Sequence, residues 1–392
     1  ETVKFSPGLR VQVIRDKAEL DTSRLGRDID LVVMNYSQLR VNAEKLKPIE
    51  WLSVVLDEGQ QIKNPDSIAA RAARELKSSN RLVLSGTPIE NRLLDVWSLM
   101  AFAMPGVLGN RKYFRDRFDR RKDAGAQVRL SARLRPFLLR RTKSQVALDL
   151  PSRTEEDILS NLEEGQEELY NAELQKMQRL VLGFGSDAEV KQNSFAILQG
   201  LMRLRQICCH PGLADEQHLD KPSAKMTALF YLLDQLREAN HKVLVFSQFT
   251  SMLDLIRARL VAEDRPHLLL TGQTKDRSEV VRTFHTSKDP HVFLLSLKAG
   301  GTGLNLTAAS YVVLYDPWWN PAVENQATDR AHRIGQKKTV HVIRLVAKGT
   351  IEDKILSLQD KKQALVDSIL EAGDSVPNRL DLEEILELLQ TE

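Results

Sequence analysis

The sequence predicts an α/β fold in two lobes, each built on a parallel sheet, with a helical segment between them. Three observations carry this. Short Val/Leu-rich runs recur without polar alternation, as in strands covered on both faces. Helical stretches alternate with these runs, giving one βαβ series before residue 104 and another after residue 216. The stretch from 105 to 150 is basic, has helical patterning and carries no strand signal. A length of 392 residues fits two or three domains, each able to bury a core.

In chain order, Leu9–Ile14, Asp30–Met34, Leu52–Leu56 and Arg81–Leu84 read as strands of the first series, with helices near 66–77 and 91–103. Arg153–Leu159 reads as a returning strand. Two helices follow, 163–182 and 189–208, the second carrying Leu198, Leu201, Met202, Leu204 and Ile207. Pro211, Gly212 and Pro222 mark 212–222 as the expected linker. The second series has strands at Val243–Phe246, His267–Leu270, Val292–Leu295, Tyr311–Leu314 and Val340–Leu345. Its helices fit 224–238, 250–262, 275–285, 321–331 and 350–371. The expected organisation is a first lobe over 1–104, an insertion with the return strand over 105–215, a second lobe over 216–349, and a C-terminal helix with an acidic tail over 350–392.

The composition, 42% hydrophobic and 28% charged, is that of a globular protein. No apolar run approaches the ~20 residues of a membrane span, so no membrane partner is expected. Glu1–Pro7 has neither a starting Met nor the apolar core of a signal peptide, and reads as an interior cut from a longer chain. The two cysteines, Cys208 and Cys209, are adjacent. Neighbours rarely form an unstrained disulfide, which points to a reducing, cytoplasmic compartment. With His210 they are three consecutive residues, which do not easily wrap one metal; a buried helix end is the better reading. The net charge of +3 hides strong patterning: thirteen Lys or Arg stand against three Asp between Arg111 and Lys143. Such a stretch is either a solvated face or a partner for a phosphate backbone. The tail from Glu371 runs the other way, with Arg379 its one arginine.

Three motifs carry chemistry. Gln326–Gln336 holds Arg330 and Arg333 three apart, a spacing that on a helix puts both guanidiniums on one face. Two planar forks suit a group with several acceptor oxygens, such as a triphosphate. Leu295–Asn305 is a glycine-rich turn after an apolar run, whose glycines let backbone N–H groups approach phosphate oxygens. Asp57 and Glu58 follow Val54-Val55-Leu56, where ligands of open α/β sheets bind. One carboxylate there can hold Mg²⁺ through water while the other orients an attacking water. Taken alone, an acid pair is more often a helix start, and Ser85-Gly-Thr-Pro88 is ordinary turn chemistry. In this order and company they suggest a nucleotide handled between two lobes.

The run Asp57-Glu-Gly-Gln60, Ile62-Lys-Asn64, Ser85-Gly-Thr-Pro-Ile-Glu-Asn91 and Leu138-Leu-Arg-Arg-Thr-Lys143 resembles the first lobe of Swi/Snf-type ATPases of helicase superfamily two. Leu204–Pro211, Val245-Phe-Ser-Gln-Phe249, Leu270-Thr-Gly272, Ala299–Asn305, Asp316-Pro-Trp-Trp-Asn-Pro321 and Gln326–Gln336 resemble the rest. The likeness implies two RecA-like lobes and ATP-driven translocation on double-stranded DNA, with ATP and Mg²⁺. It implies remodelling of protein–DNA complexes, with RNA polymerase or nucleosomes as candidate partners and the bacterial nucleoid as the expected setting. It assigns Asp57 to Mg²⁺ through water, Glu58 to the attacking water, and Arg330 and Arg333 to the γ-phosphate. It assigns Gln60, Ser85, Thr87, Gly301, Gly303 and Gln326 to ATP binding and coupling. Gln248, Lys298 and Thr302 would contact the DNA backbone. Trp318 and Trp319 would couple that contact to the arginines, although plain packing explains two tryptophans as well. Gln60 stands where many members have His. The phosphate-loop pattern Gly-x-x-x-x-Gly-Lys-[Ser/Thr] does not occur. Phe5–Arg10 resembles a segment that follows that loop. The expectation is therefore a chain missing the front of an incomplete first lobe and inactive as given. The rival classes are a non-catalytic DNA-binding or docking module, an RNA helicase, which the Trp-Trp and Arg-Ala-His-Arg motifs argue against, and a nuclease, which wants further acids.

Overall fold

The structure is a computed structural model. It describes residues 2–15, 20–86, 93–118, 124–141, 143–147, 149–183, 189, 192–289, 292–300, 303–319, 321–357, 359 and 389. The chain forms two compact units that meet in sequence between Leu139 and Arg140.

In the first unit, β1 (Val11–Ile14) pairs in parallel with β2 (Leu31–Met34), and β3 (Glu50–Leu56) with β4 (Lys77–Val83). The helix Ile68–Glu75 is capped by Ser67, whose side chain accepts the Ala70 N–H, and it buries Ala69, Ala70, Ala72 and Ala73. These pack with Ile62, Leu99 and Phe102. The other faces of the two strand pairs are poorly covered: Leu52, Val55, Leu82 and Val33 are all exposed. The basic stretch forms the helices Arg111–Phe118 and Ala124–Leu134. Phe114, Phe118, Leu130 and Leu134 point into a small core. Lys112, Arg115 and Arg117 stay outside, so the stretch is amphipathic, with a cationic outer face.

Among the described residues, the second unit holds one all-parallel sheet of six strands. They are β5 (Arg153–Ser160), β6 (Val243–Ser247), β7 (His267–Leu270), β8 (Val292–Ser296), β9 (Tyr311–Leu314) and β10 (Val340–Ala347). Their order is β5-β10-β9-β6-β8-β7. Every residue of β6 and β8 is buried, as continuous apolar runs require of strands covered on both faces. Because β6 lies between β8 and β9, the C-terminal ends of these three strands are neighbours, and the loops leaving them share one edge. The expected α/β class is thus the one observed.

The two units meet within the segment expected as an insertion, 105–215. The return strand β5 is an edge strand of the second sheet, in register with all eight residues of β10. Arg344 on β10 reaches Asp157 on β5 at 2.6 Å. The expected linker is a packed turn. Pro211 and Gly212 are buried, and a Cβ on Gly212 would lie 2.6 Å from Leu219 Cδ2. Ser223 Oγ donates to the Cys209 carbonyl at 2.6 Å, closing the turn. Cys208 and Cys209 are fully buried at the end of the helix Ser194–Cys209, where burial pushes both thiols up.

A fully buried ion pair fastens the segment after β10 to this core. Lys225 Nζ lies 2.7 Å and 2.8 Å from the two Glu352 oxygens, and Glu352 also accepts the Ala347 N–H at 2.8 Å. Burial alone would lower the Lys225 ammonium, but the Glu352 carboxylate raises it. Breaking one partner strands the other charge. Glu352→Gln should therefore cost about 3–5 kcal/mol of second-unit stability, whereas a Lys225→Met, Glu352→Leu double replacement should cost much less. Urea midpoints of the three proteins check this; equal losses for the single and double variants would contradict it.

Candidate functional site

On the first unit the acid pair sits in a turn tied to the end of β4. Leu84 N–H donates to the Leu56 carbonyl and Gly59 N–H to the Leu84 carbonyl, each at 2.8 Å. A Cβ on Gly59 would lie 2.3 Å from Val83 Cγ1, so this approach requires glycine. Glu58 takes a left-handed conformation, φ 49°, uncommon for a residue with a side chain. Its carboxylate accepts from Gln60 Nε2 at 2.7 Å. Gln60 Oε1 accepts from Ser85 Oγ at 2.9 Å. Glu58, Gln60 and Ser85, predicted separately, thus form one hydrogen-bonded chain. The Gln60 amide donates and accepts at once, which lets it stand where a histidine would. Asp57 is exposed, and its Oδ1 accepts the Glu58 N–H at 2.9 Å. An open carboxylate beside a second acid fits Mg²⁺, which keeps several waters and takes one or two carboxylates. Behind it Tyr36 Oη donates to the Asp57 carbonyl at 2.6 Å. Burial, then the Asp57 and Glu58 charges, push the Tyr36 phenol up to about 12, so it remains a donor. Thr87 lies outside the described residues.

On the second unit the loops leaving β6 and β9 and the helix Ser194–Cys209 assemble around Asp316. Ser247 Oγ donates to Asp316 Oδ1 at 2.5 Å, and the Gln248 N–H faces both carboxylate oxygens at 3.3 Å. Arg205, fully buried, lies 3.7 Å from Asp316. It donates to the Pro317 carbonyl at 2.5 Å and to Gln248 Oε1 at 3.1 Å. Its guanidinium lies 5.5 Å from the ring centres of both Trp318 and Trp319. The tryptophans are half-buried, Trp318 against one apolar cluster and Trp319 against another. The Gln248 side chain is therefore turned inward, and its Nε2 is shielded with no partner among the described residues. Lys298 is exposed, in the helical turn Leu297–Gly300 after β8. Gly303 is left-handed, φ 54°. Gly301 and Thr302 lie outside the described residues.

The arginine motif is not helical through its length. The helix Pro321–Thr328 stops short of both arginines, so the one-face argument does not apply. Arg330 and Arg333 sit in the turns that follow, the first half-buried and the second exposed. Tertiary bonds override the helical spacing there. Leu306 N–H, at the end of the glycine turn, donates to the Arg330 carbonyl at 2.9 Å. Gln336 Nε2 donates to the carbonyls of Thr307, Ala309 and Ala331, while its Oε1 accepts from the Lys337 and Lys338 N–H groups. The glycine turn and the arginine turn are thereby one bonded unit. Gln326 is half-buried on the helix before them.

A model of the SNF2-related domain matches residues 2–213, more than half of the chain, and a model of the helicase conserved C-terminal domain matches 224–335. The chain belongs to the SNF2-related family. An uncharacterized ATP-dependent helicase of Mycoplasma genitalium is 40% identical over all of this chain and 38% of its own length. The human SWI/SNF-related matrix-associated actin-dependent regulator of chromatin subfamily A member 1 is 37% identical over 92% of this chain and 36% of its own length. The chain thus spans less than half the length of these SNF2-related proteins. Among solved structures, the Sulfolobus solfataricus SWI2/SNF2 ATPase core in complex with dsDNA matches with a TM-score of 0.51 and 33% identity, over 100% of this chain and 83% of that one. The fold is the RecA-like helicase fold, and ATP-dependent enzymes of the SNF2-related family are its relatives.

Sequence reasoning missed Tyr36, Arg205, Glu324 and Gln336. Arg205 left one signal, a charge within the apolar face of Leu201, Leu204 and Ile207. Glu324 left none. Its Oε1 accepts the Trp318 N–H at 2.6 Å and Gln359 Nε2 at 3.1 Å, and the same Gln359 nitrogen donates to the Trp318 carbonyl. Burial pushes the Glu324 carboxyl up to about 7. A carboxyl raised in the folded state favours folding while protonated, and that contribution fades as pH rises through the folded value. Second-unit stability should fall by up to about 3 kcal/mol between pH 5 and 8 through this group, and Glu324→Gln should remove that part of the slope. Urea midpoints across this range, identical in slope for both proteins, would contradict it.

Proposed function

We propose that this chain carries the acid and arginine halves of an ATP-driven motor that translocates on double-stranded DNA and displaces or remodels proteins bound to it. The observation that carries the reading is the bonded set Glu58–Gln60–Ser85 at the end of β3, together with an arginine pair fastened to a glycine turn in the other unit. Asp57 would hold Mg²⁺ through water, and Glu58 would orient the attacking water. Ser85 and Thr87 would report nucleotide state. Arg330 and Arg333 would meet phosphate oxygens with Gly301, Gly303 and Gln326 beside them. ATP with Mg²⁺ supplies the phosphoryl group whose hydrolysis drives the motor. Lys298, Thr302 and the basic stretch from Arg111 to Lys143 would meet the DNA backbone. Gln248 would join them only by turning away from Arg205, with Trp318 and Trp319 registering that change. RNA polymerase or nucleosomes are proposed as the class of DNA-bound obstacle; the human relative is named a regulator of chromatin. The phosphate-loop pattern does not occur in these 392 residues, so we propose that they hydrolyse no ATP on their own, with or without DNA.

The DNA half is testable on the chain as it is. Affinity for a labelled duplex should fall linearly with salt on logarithmic axes, with a slope of about −0.9 per phosphate contact, and should ignore sequence. Lys298→Ala should weaken binding for every sequence and flatten the slope by about one contact. Anisotropy titrations at several salt concentrations read both, and an affinity indifferent to salt would sink the proposal.

A further inference from the structure

We infer that Lys143 is a positioning residue for Arg330 and Arg333, holding the backbone from which both side chains leave. This rests on the phosphate-binding reading of that pair.

The chain enters the second unit at Arg140. Lys143 opens a short helical turn there, Lys143–Val146. Its ammonium donates to the His332 carbonyl at 2.7 Å and lies 2.5 Å from Asp329 Oδ1. Asp329 and His332 are the residues immediately before Arg330 and before Arg333. One cation therefore grips the arginine turn at both places where it matters. Two further bonds run from the same stretch. His332 Nε2 donates to the Pro151 carbonyl at 2.8 Å. Arg153 Nη2 donates to Asn325 Oδ1 at 2.9 Å, and Arg153 Nη1 lies 3.9 Å from Asp329.

The chemistry explains an oddity of the motif. Asp329 directly follows the last residue of the helix Pro321–Thr328. A carboxylate there faces the negative end of the helix dipole, an unfavourable place, while cations there are favourable. Lys143 and Arg153 reverse the balance. They make Asp329 an anchor, and Lys143 also satisfies a carbonyl in a stretch that has left the helical bonding pattern. The inner side of the same turn is fixed by Leu306 and Gln336, as described above. Lys143 fixes its outer side. Because it lies three residues into the unit, a displacement of the entering chain would be delivered to the arginine backbone. The sequence places Lys143 in a motif of the first lobe, 186 positions from Asp329, and gives no hint of this bond.

The test uses the full chain and four variants: Lys143→Met, Lys143→Arg, Asp329→Asn and the Lys143→Met, Asp329→Asn double. Both residues are about two-fifths exposed, so folding should survive. Amide hydrogen exchange of the peptide spanning 326–336, without nucleotide, should quicken about 3-fold in Lys143→Met and in Asp329→Asn, an effect of the size expected for an exposed pair. The double variant should add little to either single, since the two changes remove one interaction. Lys143→Arg should restore protection. Peptides from β6, β8 and β9 should not change. Unaltered exchange over 326–336, or a rise spread evenly over the unit, overturns the inference. Equilibrium dialysis with MgATP supplies the second arm. Arg330→Ala and Arg333→Ala should weaken binding most, Lys143→Met should weaken it less, and Lys143→Arg should recover it. Binding lowered by the arginine variants but untouched by Lys143→Met overturns the positioning role alone. Binding untouched by the arginine variants sinks the phosphate reading on which that role depends, whatever the exchange shows.

Discussion

A carboxylate cut off from water organises the working edge of the second unit. Asp316 takes the Ser247 hydroxyl and the Gln248 N–H from the end of β6, and faces Arg205 from the helix Ser194–Cys209. Burial pushes its carboxyl up, and the Arg205 charge pulls it back. Neither ion could remain inside alone, since an uncompensated buried charge costs about 3–5 kcal/mol. Helix, strand end and Trp-Trp loop must therefore be placed together or not at all. Arg205 completes the constraint by donating to the Pro317 carbonyl while stacking near both tryptophans. A parallel sheet offers a row of loops at its C-terminal edge; this ion pair gives the row a definite shape.

The first unit solves a smaller version of the same problem with an amide and a hydroxyl beside one acid. Glu58 is turned by an unusual backbone angle, and a glutamine amide then joins it to a serine on the next strand end. An amide has one orientation that satisfies both neighbours, with nitrogen toward the acid and oxygen toward the hydroxyl. The relay does not depend on a ring tautomer or on a proton that comes and goes near neutral pH. Tyr36 supports it from below through the Asp57 carbonyl.

Much of this was legible, for a physical reason. Strands buried on both faces must be apolar throughout, so Val243–Phe246 and Val292–Leu295 could be read to within one residue. The helices Ala224–Glu238 and Thr250–Ala262 were equally plain. Strand β4 was read as starting at Arg81 because its first half, Lys77–Asn80, is polar; it is held as a strand by pairing with β3. The location of β5 was hidden because its acids Glu155 and Asp157 are answered by Arg344, nearly two hundred residues away. The site divides in the same way. Glycines, acids and arginines announce themselves by type and spacing. Arg205, Glu324 and Lys143 act through partners that only the fold supplies, and a lone charge in a helix or a loop carries no mark of its partner. The helical reading of the arginine motif failed for the same reason: Leu306 reaches it from elsewhere in the chain, and its own Gln336 is turned toward the carbonyls of Thr307 and Ala309.

The register of β5 against β10 bears on how such proteins can exchange parts. The family regions divide the chain near residues 213 and 224, and the C-terminal one closes at 335. A swap of residues 224–335 between two relatives would look clean on that map. It would leave behind β5 and β10, two of six strands, and set the β9 of one parent against the β10 of the other. It would also separate Asp316 from Arg205 and Lys225 from Glu352, each a pair with no water to fall back on. The heritable module is therefore longer than the recognisable one. Residues 140–213, although counted with the front half, have to travel with the back half or change in step with it.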